Sequence, residues 1–230
     1  MKIVRTASGA RLLEGDAILS EVLDRPGPTH CLSDLLAACV AALAPGPRCA
    51  LLGFAGGGIV APLRAMGHGH PLDAVDLSRQ GEALFRELSA GWAGEVALAH
   101  EEAGAWLRGG PEPYDLIVED LSVPGIAGTT KPAVSLEELP ALVRAALVPG
   151  GIAVTNLLPL PGRTWPELLR IVAAPFPRAA SIEVEGYFNR VVVAGDALPP
   201  TREVARAVRA RLAALGSTLE RRLAFRTQRA

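Results

Sequence analysis

Cys49-Ala50-Leu51-Leu52-Gly53-Phe54-Ala55-Gly56-Gly57-Gly58 joins a short, wholly apolar run to a turn with four glycines in six positions. The apolar run has the length and composition of a strand buried on both faces. In the turn, missing Cβ atoms permit positive φ and let backbone N–H groups come close to a ligand. Ile59–Met66 follows with helical spacing. A strand, a Gly-rich turn and a helix in that order form the opening unit of a doubly wound, Rossmann-like α/β sheet. Taken by itself, the turn also reads as a tight strand–helix connection with no ligand.

Downstream, the strand–helix alternation continues. Leu72-Asp73-Ala74-Val75-Asp76-Leu77 is a second strand, and Asp76 stands about 20 residues beyond the turn, where a carboxylate in such a sheet grips ribose hydroxyls. Capping the next helix is its other role, which Ser78 can also fill. Gly81–Leu88 reads as a helix, Val96–His100 as a strand, Ala103–Arg108 as a short helix and Tyr114–Asp120 as a strand with an apolar centre. Ser135 is placed to cap a helix over Leu136–Leu147, which ends at Pro149-Gly150-Gly151 ahead of a fifth parallel strand, Ile152–Leu157. Trp165–Ala173 is a helix, Ala180–Glu185 and Arg190–Ala194 form an antiparallel hairpin, and Thr201–Leu215 is an amphipathic, Arg-rich helix.

Upstream, Leu35–Leu43 is a helix with Ser33 and Asp34 as candidate N-caps and Pro45 as its stop. Ala17–Leu23 looks helical and closes at Pro26-Gly27-Pro28. The expected architecture is therefore a mostly parallel α/β sheet with a C-terminal antiparallel hairpin. Residues 1–28 form a small N-terminal element and residues 29–230 the main domain.

The chain has 230 residues, 50% hydrophobic and 20% charged, with a formal net charge of −1. That length and apolar content suit one large core. The charge balance offers no footprint for nucleic acid or an anionic membrane, so the expected partner is a small molecule. Cys31, Cys39 and Cys49 form no C-x-x-C pair, which argues against a disulfide framework or a zinc site and for reduced thiols in a cytoplasmic setting. No secretory h-region is present near the start. The most apolar stretch, Leu35–Leu43, is far shorter than the roughly 20 residues of a membrane span.

Four segments, Leu51–Gly58, Ala74–Ser78, Tyr114–Asp120 and Leu147–Thr155, resemble in order and spacing the class I S-adenosylmethionine-dependent methyltransferase fold, and within it the spermidine synthase-like branch. The resemblance implies a transferase that binds S-adenosylmethionine or its decarboxylated form, with no metal. Carried over by position, it places Gly53 and Gly57 at the amino-acid and sulfonium end of the nucleoside, with Phe54 and Ala55 beside them. It puts Asp76 on the ribose and Glu102 at the adenine, with Leu77 and Ala103 completing the binding set. Asp120, at the end of the fourth strand, is the acid–base candidate; as an isolated residue it also reads as an Asx turn opening the Leu121–Pro132 loop. Glu119 points to the opposite face, because strand side chains alternate.

Spermidine synthases usually carry an Asp inside the Gly-rich turn and a second Asp shortly beyond the fourth-strand Asp, where this chain has Gly56 and Val123. Without those carboxylates, the charge-assisted bonds that recognise ammonium groups are lost. A Gly at position 56 also leaves N–H groups free to meet the carboxylate of ordinary S-adenosylmethionine. Methyl transfer to a small-molecule acceptor is the favoured reading, with polyamine aminopropyl transfer or silent nucleoside binding as alternatives. The loop from Asp120 to Lys131 is long enough for a lid over the acceptor or is a passive connection.

His30 and His100 are possible bases, whereas His68 and His70 flank Gly69 with no third metal ligand at useful spacing. Trp106 is expected behind the adenine site. Trp165, Tyr187 and Phe188 form either part of an acceptor pocket or a hydrophobic seam. Arg202, Arg206, Arg209, Arg211, Arg221, Arg222, Arg226 and Arg229 read as a solvated helix face or the edge of a homodimer.

Overall fold

Side chains alternate across each central strand, which gives the sheet two apolar faces. Cys49 and Leu51 point to one side and Ala50 and Leu52 to the other, and all four are buried. The computed structural model describes residues 2–15, 17–125 and 128–228. In chain order the elements are β1 (Lys2–Thr6), β2 (Gly9–Glu14), β3 (Ala17–Leu23), α1 (Leu32–Leu43), β4 (Cys49–Leu52), α2 (Val60–Ala65) and β5 (Leu72–Val75). Next come α3 (Gln80–Ser89), β6 (Val96–Ala99), α4 (Ala103–Arg108), β7 (Tyr114–Glu119), β8 (Val123–Gly125), β9 (Gly128–Thr130), α5 (Val134–Glu137) and α6 (Leu139–Ala145). The chain finishes with β10 (Leu147–Leu157), α7 (Trp165–Ala173), β11 (Ala179–Val184), β12 (Arg190–Gly195), α8 (Thr201–Leu215), a 3-10 turn and β13 (Leu223–Gln228).

The main sheet has eight strands in the order β13-β11-β12-β10-β7-β4-β5-β6. Its five strands from β10 to β6 are parallel, and β12, β11 and β13 extend it in antiparallel fashion. Helices α1, α2, α3 and α8 cover one face through residues such as Leu36, Leu63, Phe85 and Val208. On the other face, α4, α6 and α7 pack Leu107, Leu139 and Leu168 against Ala50, Ile117 and Ala153. The expected α/β sheet with a closing hairpin is thus present, and its parallel strands aim their carboxyl ends at one edge.

Several local expectations are corrected. Ala17–Leu23 is a strand, not a helix: β3 pairs with β2 to complete a separate three-stranded antiparallel sheet with β1. Cross-strand pairing and the inward alternation of Ser20 and Val22 override the helical spacing there. Neither Ser33 nor Asp34 caps α1, whose N-cap is Cys31. The buried Asp34 carboxylate instead accepts the Thr29 and His30 N–H groups at 2.8 and 2.9 Å and the Thr29 hydroxyl at 2.7 Å, fixing the approach to the helix.

The single helix expected over Leu136–Leu147 is two short ones, because Pro140 lacks the N–H that would continue the ladder from α5. Ser135 lies inside α5 rather than ahead of it and is buried. Pro149-Gly150-Gly151 does not precede the strand; it forms an irregularity within β10, with Gly150 at φ +84°. β13 had no counterpart in the sequence reading, although Leu223 and Phe225 alternate with polar residues as an edge strand should.

Candidate functional site at the carboxyl edge of the sheet

The Gly-rich turn leaves β4 with Gly53 at φ +93°, where a Cβ would sit 2.7 Å from the Asp120 carbonyl oxygen. Only glycine permits both that backbone conformation and that approach. Ala55 is left-handed at φ +47° without being glycine, so the turn is held by its surroundings. Asp76, just past β5, provides much of that hold: its Oδ2 accepts the Phe54 and Ala55 N–H groups at 2.8 and 2.7 Å, and its Oδ1 accepts Ser78 N–H at 2.8 Å. Gly53, Gly57 and Gly58 donate to the Val75 carbonyl, the Phe54 carbonyl and Ser20 Oγ. Five of the six turn N–H groups are therefore spent inside the chain.

The other glycines serve packing. A Cβ on Gly57 would lie 2.6 Å from the Phe54 ring and 2.7 Å from that of Phe85, the two rings forming an edge-to-face pair with centroids 5.0 Å apart. A Cβ on Gly56 would lie 2.7 Å from Val22 and 3.2 Å from Ser20, so β3 fills the space that a carboxylate at that position needs. Gly81, in the first turn of α3, has its Cβ position 1.8 Å from the Ala55 carbonyl oxygen. Gly81→Ala is accordingly expected to displace α3 or the turn and to lower stability by about 2 kcal/mol or more in urea unfolding. An unchanged midpoint would show that the contact yields at no cost.

Asp120 follows β7 on the strand next to β4. The β7–β10 register sets Thr155 opposite Glu119, and Asn156, the next residue, donates from Nδ2 to Asp120 Oδ1 at 2.7 Å. Asn189, in the β11–β12 turn, in turn donates to Asn156 Oδ1 at 3.0 Å. Neither asparagine stands out in the sequence; the available signal was a polar Asn156 set between Thr155 and the buried Leu157 at the end of β10. Burial pushes the Asp120 carboxyl up to about 6, with Glu119 adding to the push and the Lys131 charge and Asn156 bond opposing it.

Glu119 faces the other way, as alternation requires, and is buried with Lys131. Lys131 Nζ donates to Glu119 Oε1 and Oε2 at 2.7 and 2.9 Å and to the Leu121 carbonyl at 2.8 Å. Ser135 Oγ and Leu121 N–H each donate to Glu119 Oε1 at 3.0 Å. This network clamps both ends of the loop expected as a lid. Its middle carries the short β8–β9 ribbon, and residues 126 and 127 lie outside the described residues.

At the ends of β5 and β6 the sequence candidates separate. Leu77 is 73% exposed, a large apolar side chain left open beside Asp76. Glu102 is the N-cap of α4: its two oxygens accept Gly104 and Ala105 N–H at 2.9 and 2.7 Å, while Ala103 is buried. His100 Nε2 lies 2.8 Å from Glu82 Oε2, and its buried Nδ1 has no partner among the described residues. Trp106 is not behind this edge. It stacks on Tyr114, at the amino end of β7, with centroids 5.8 Å apart.

Trp165, Tyr187 and Phe188 do not form a closed seam. They line an open cavity of about 520 Å³ together with Glu183, Arg190, Arg222 and their neighbours. Leu157, the last residue of β10, pairs with Arg190, so this cavity opens at the same edge as Asp120. Among the described residues no group of three or more His, Cys, Asp or Glu side chains clusters as a metal site, and no helix is long and apolar enough to cross a membrane.

No protein-family model matches the sequence, and no curated protein is similar to it in sequence. Solved structures match in fold. Human Methyltransferase-like protein 13 in complex with SAH superposes at a TM-score of 0.63 and 16% identity, covering 81% of this chain and 93% of that one. A SAM-dependent methyltransferase from Agrobacterium tumefaciens gives 0.59 at 13% identity over 84% and 69% of the two chains. Spermidine synthase from Thermotoga maritima gives 0.58 at 16% identity over 76% of this chain and 62% of that one, less than two thirds of its length. The chain thus has the class I S-adenosylmethionine-dependent methyltransferase fold, which spermidine synthase shares.

Proposed function

We propose that the chain transfers a group, a methyl in the favoured reading, from an S-adenosylmethionine-type nucleoside to a small-molecule acceptor. The observation that carries this reading is Asp120, a carboxyl pushed up to about 6 beside the Gly53 turn, with β4 alone between its strand and that of Asp76. A base poised near neutrality suits proton removal from an acceptor.

The residues present fit such a nucleoside. Asp76 Oδ1 accepts one N–H bond and keeps a lone pair for a ribose hydroxyl. Leu77 offers an exposed apolar surface for a flat base. Gly53, Phe54, Ala55 and Gly57 shape the wall more than they donate. When bound, the nucleoside supplies an electrophilic carbon attached to a sulfonium. Asn156 holds Asp120 Oδ1, which leaves Oδ2 to take the acceptor's proton.

Calorimetric titration with S-adenosylmethionine tests the assignment. Saturable binding is expected, weakened about tenfold or more in Asp76→Ala through loss of a charge-assisted bond, with circular dichroism checking the fold. Equal affinity of the two proteins, or no heat at near-millimolar ligand, counts against the nucleoside. Polyamine aminopropyl transfer is disfavoured, since β3 fills the space beside Gly56. Silent nucleoside binding is the second reading, favoured by a turn whose amides are mostly spent internally. Binding with no product across a broad acceptor screen would select it.

A further inference from the structure

The cavity of about 520 Å³ beside the β11–β12 turn lies within the range typical of small-molecule sites. It is connected to the proposed base. Asn189, one of its lining residues, bonds Asn156, which bonds Asp120. The three strand ends that frame it, Val184 of β11, Arg190 of β12 and Leu223 of β13, are fixed by ladder pairing, so its walls are preformed.

Its chemistry has two parts. Trp165, Tyr187 and Phe188 supply flat apolar surface, and Phe188 is 84% exposed at the site. Guanidinium groups lie over two of the rings: Arg190 is 4.5 Å from the Trp165 centroid and Arg222 is 5.5 Å from that of Tyr187. Three arginines, Arg190, Arg221 and Arg222, face two carboxylates, Glu183 and Glu185. Glu183 is already shared between Arg190 at 3.3 Å and Arg226 at 3.0 Å. Arg222 donates to the Glu185 backbone carbonyl and has no carboxylate partner among the described residues. The Arg221 side chain is 93% exposed, and its one ion pair among the described residues is with its neighbour Glu220, at 3.6 Å.

We propose that this cavity is the acceptor site and that it selects a planar acid, an aromatic or conjugated small molecule carrying a carboxylate. The assignment of the cavity to an acceptor rests on the transferase reading above; its charge selectivity does not. The rings take the flat body of the ligand, and Arg221 and Arg222 take the anion, since a guanidinium matches a carboxylate in a two-bond fork. A diamine meets an unfavourable sign here, because three guanidinium groups line the cavity against two carboxylates.

Ligand-observed NMR titration of the full chain, without nucleoside, with benzoate, benzyl alcohol and benzylamine varies charge at nearly constant shape. Benzoate is expected to bind about tenfold or more tightly than benzylamine, with the alcohol between them. Arg221→Ala, at a site too exposed to disturb the fold, should shrink the preference, and Arg221→Ala with Arg222→Ala should abolish it. Arg222→Lys should restore part of it, and Arg206→Ala, on the exposed face of α8, should leave it unchanged. Benzylamine binding as well as benzoate, no binding of any of the three, or a preference that survives the double substitution overturns the proposal. S-adenosylmethionine binding with no anion preference defeats this inference alone. The preference without nucleoside binding defeats the transferase reading and leaves an anion-selective cavity.

Discussion

Asp120→Asn is expected to yield a protein that is more stable at neutral pH and nearly inactive. In the folded chain the Asp120 carboxyl is pushed from the ordinary 3.8 up to about 6, first by burial. An acid whose value is raised by folding contributes stability that is complete below the ordinary value and is lost as pH rises through the folded one. Between pH 3.8 and about 6 the folded chain therefore gives up stability, and above that window ionised Asp120 is a net burden. At about 1.4 kcal/mol per pH unit, the burden is at most about 3 kcal/mol.

Asn keeps the shape and the oxygen that accepts the Asn156 bond, and it removes the charge. For a chain of this size the melting temperature should rise by about 5 °C at pH 7.5 and converge with that of the parent as the pH falls towards 4. Turnover of an accepted substrate should drop by about 100-fold or more, the usual worth of a positioned base. In the parent, turnover should rise with pH through about 6 as Asp120 ionises. A melting difference independent of pH, or full activity in Asp120→Asn, would remove Asp120 from the mechanism and leave it as a turn residue.

Breaking the buried pair next to it should have the larger structural effect. Lys131 is fully buried against Glu119, and Lys131→Met leaves that carboxyl group with only Ser135 Oγ and Leu121 N–H for support. Leaving one charge of a buried pair uncompensated costs about 3–5 kcal/mol, so the melting temperature should fall by about 10 °C. Glu119→Gln combined with Lys131→Met should recover most of that loss, since the buried charge disappears with its partner. The Lys131 charge also holds the Asp120 carboxyl down, so the single substitution should move the pH–activity midpoint above that of the parent. A loss below about 1 kcal/mol would mean that the pair is solvated in solution.

How much of the site was legible depended on the residue. The positions of Asp120 and Asp76 at strand ends follow from the sequence, because the chain arrives at the carboxyl edge wherever an apolar run stops. Glu102 has the same kind of address, yet its carboxylate is consumed by the first turn of α4. Asn156 and Asn189 escaped notice because each acquires meaning only from the other and from Asp120, across separations of 33 and 36 residues. Trp106 was misplaced because a helical tryptophan has several possible faces, and Tyr114 decided among them.

By itself the sequence determined the α/β sheet, its five parallel strands and the edge at which Gly53, Asp76 and Asp120 gather. Those features follow from local periodicity and from glycine's freedom at positive φ, both written residue by residue. Only the tertiary structure decided that Ala17–Leu23 is a strand, that its Val22 fills the space beside Gly56, and that Asp76 holds the turn's amides. It also opened the cavity between Trp165 and Arg222. Each of these depends on which distant segment arrives within hydrogen-bond or van der Waals reach, and spacing along the chain does not encode that.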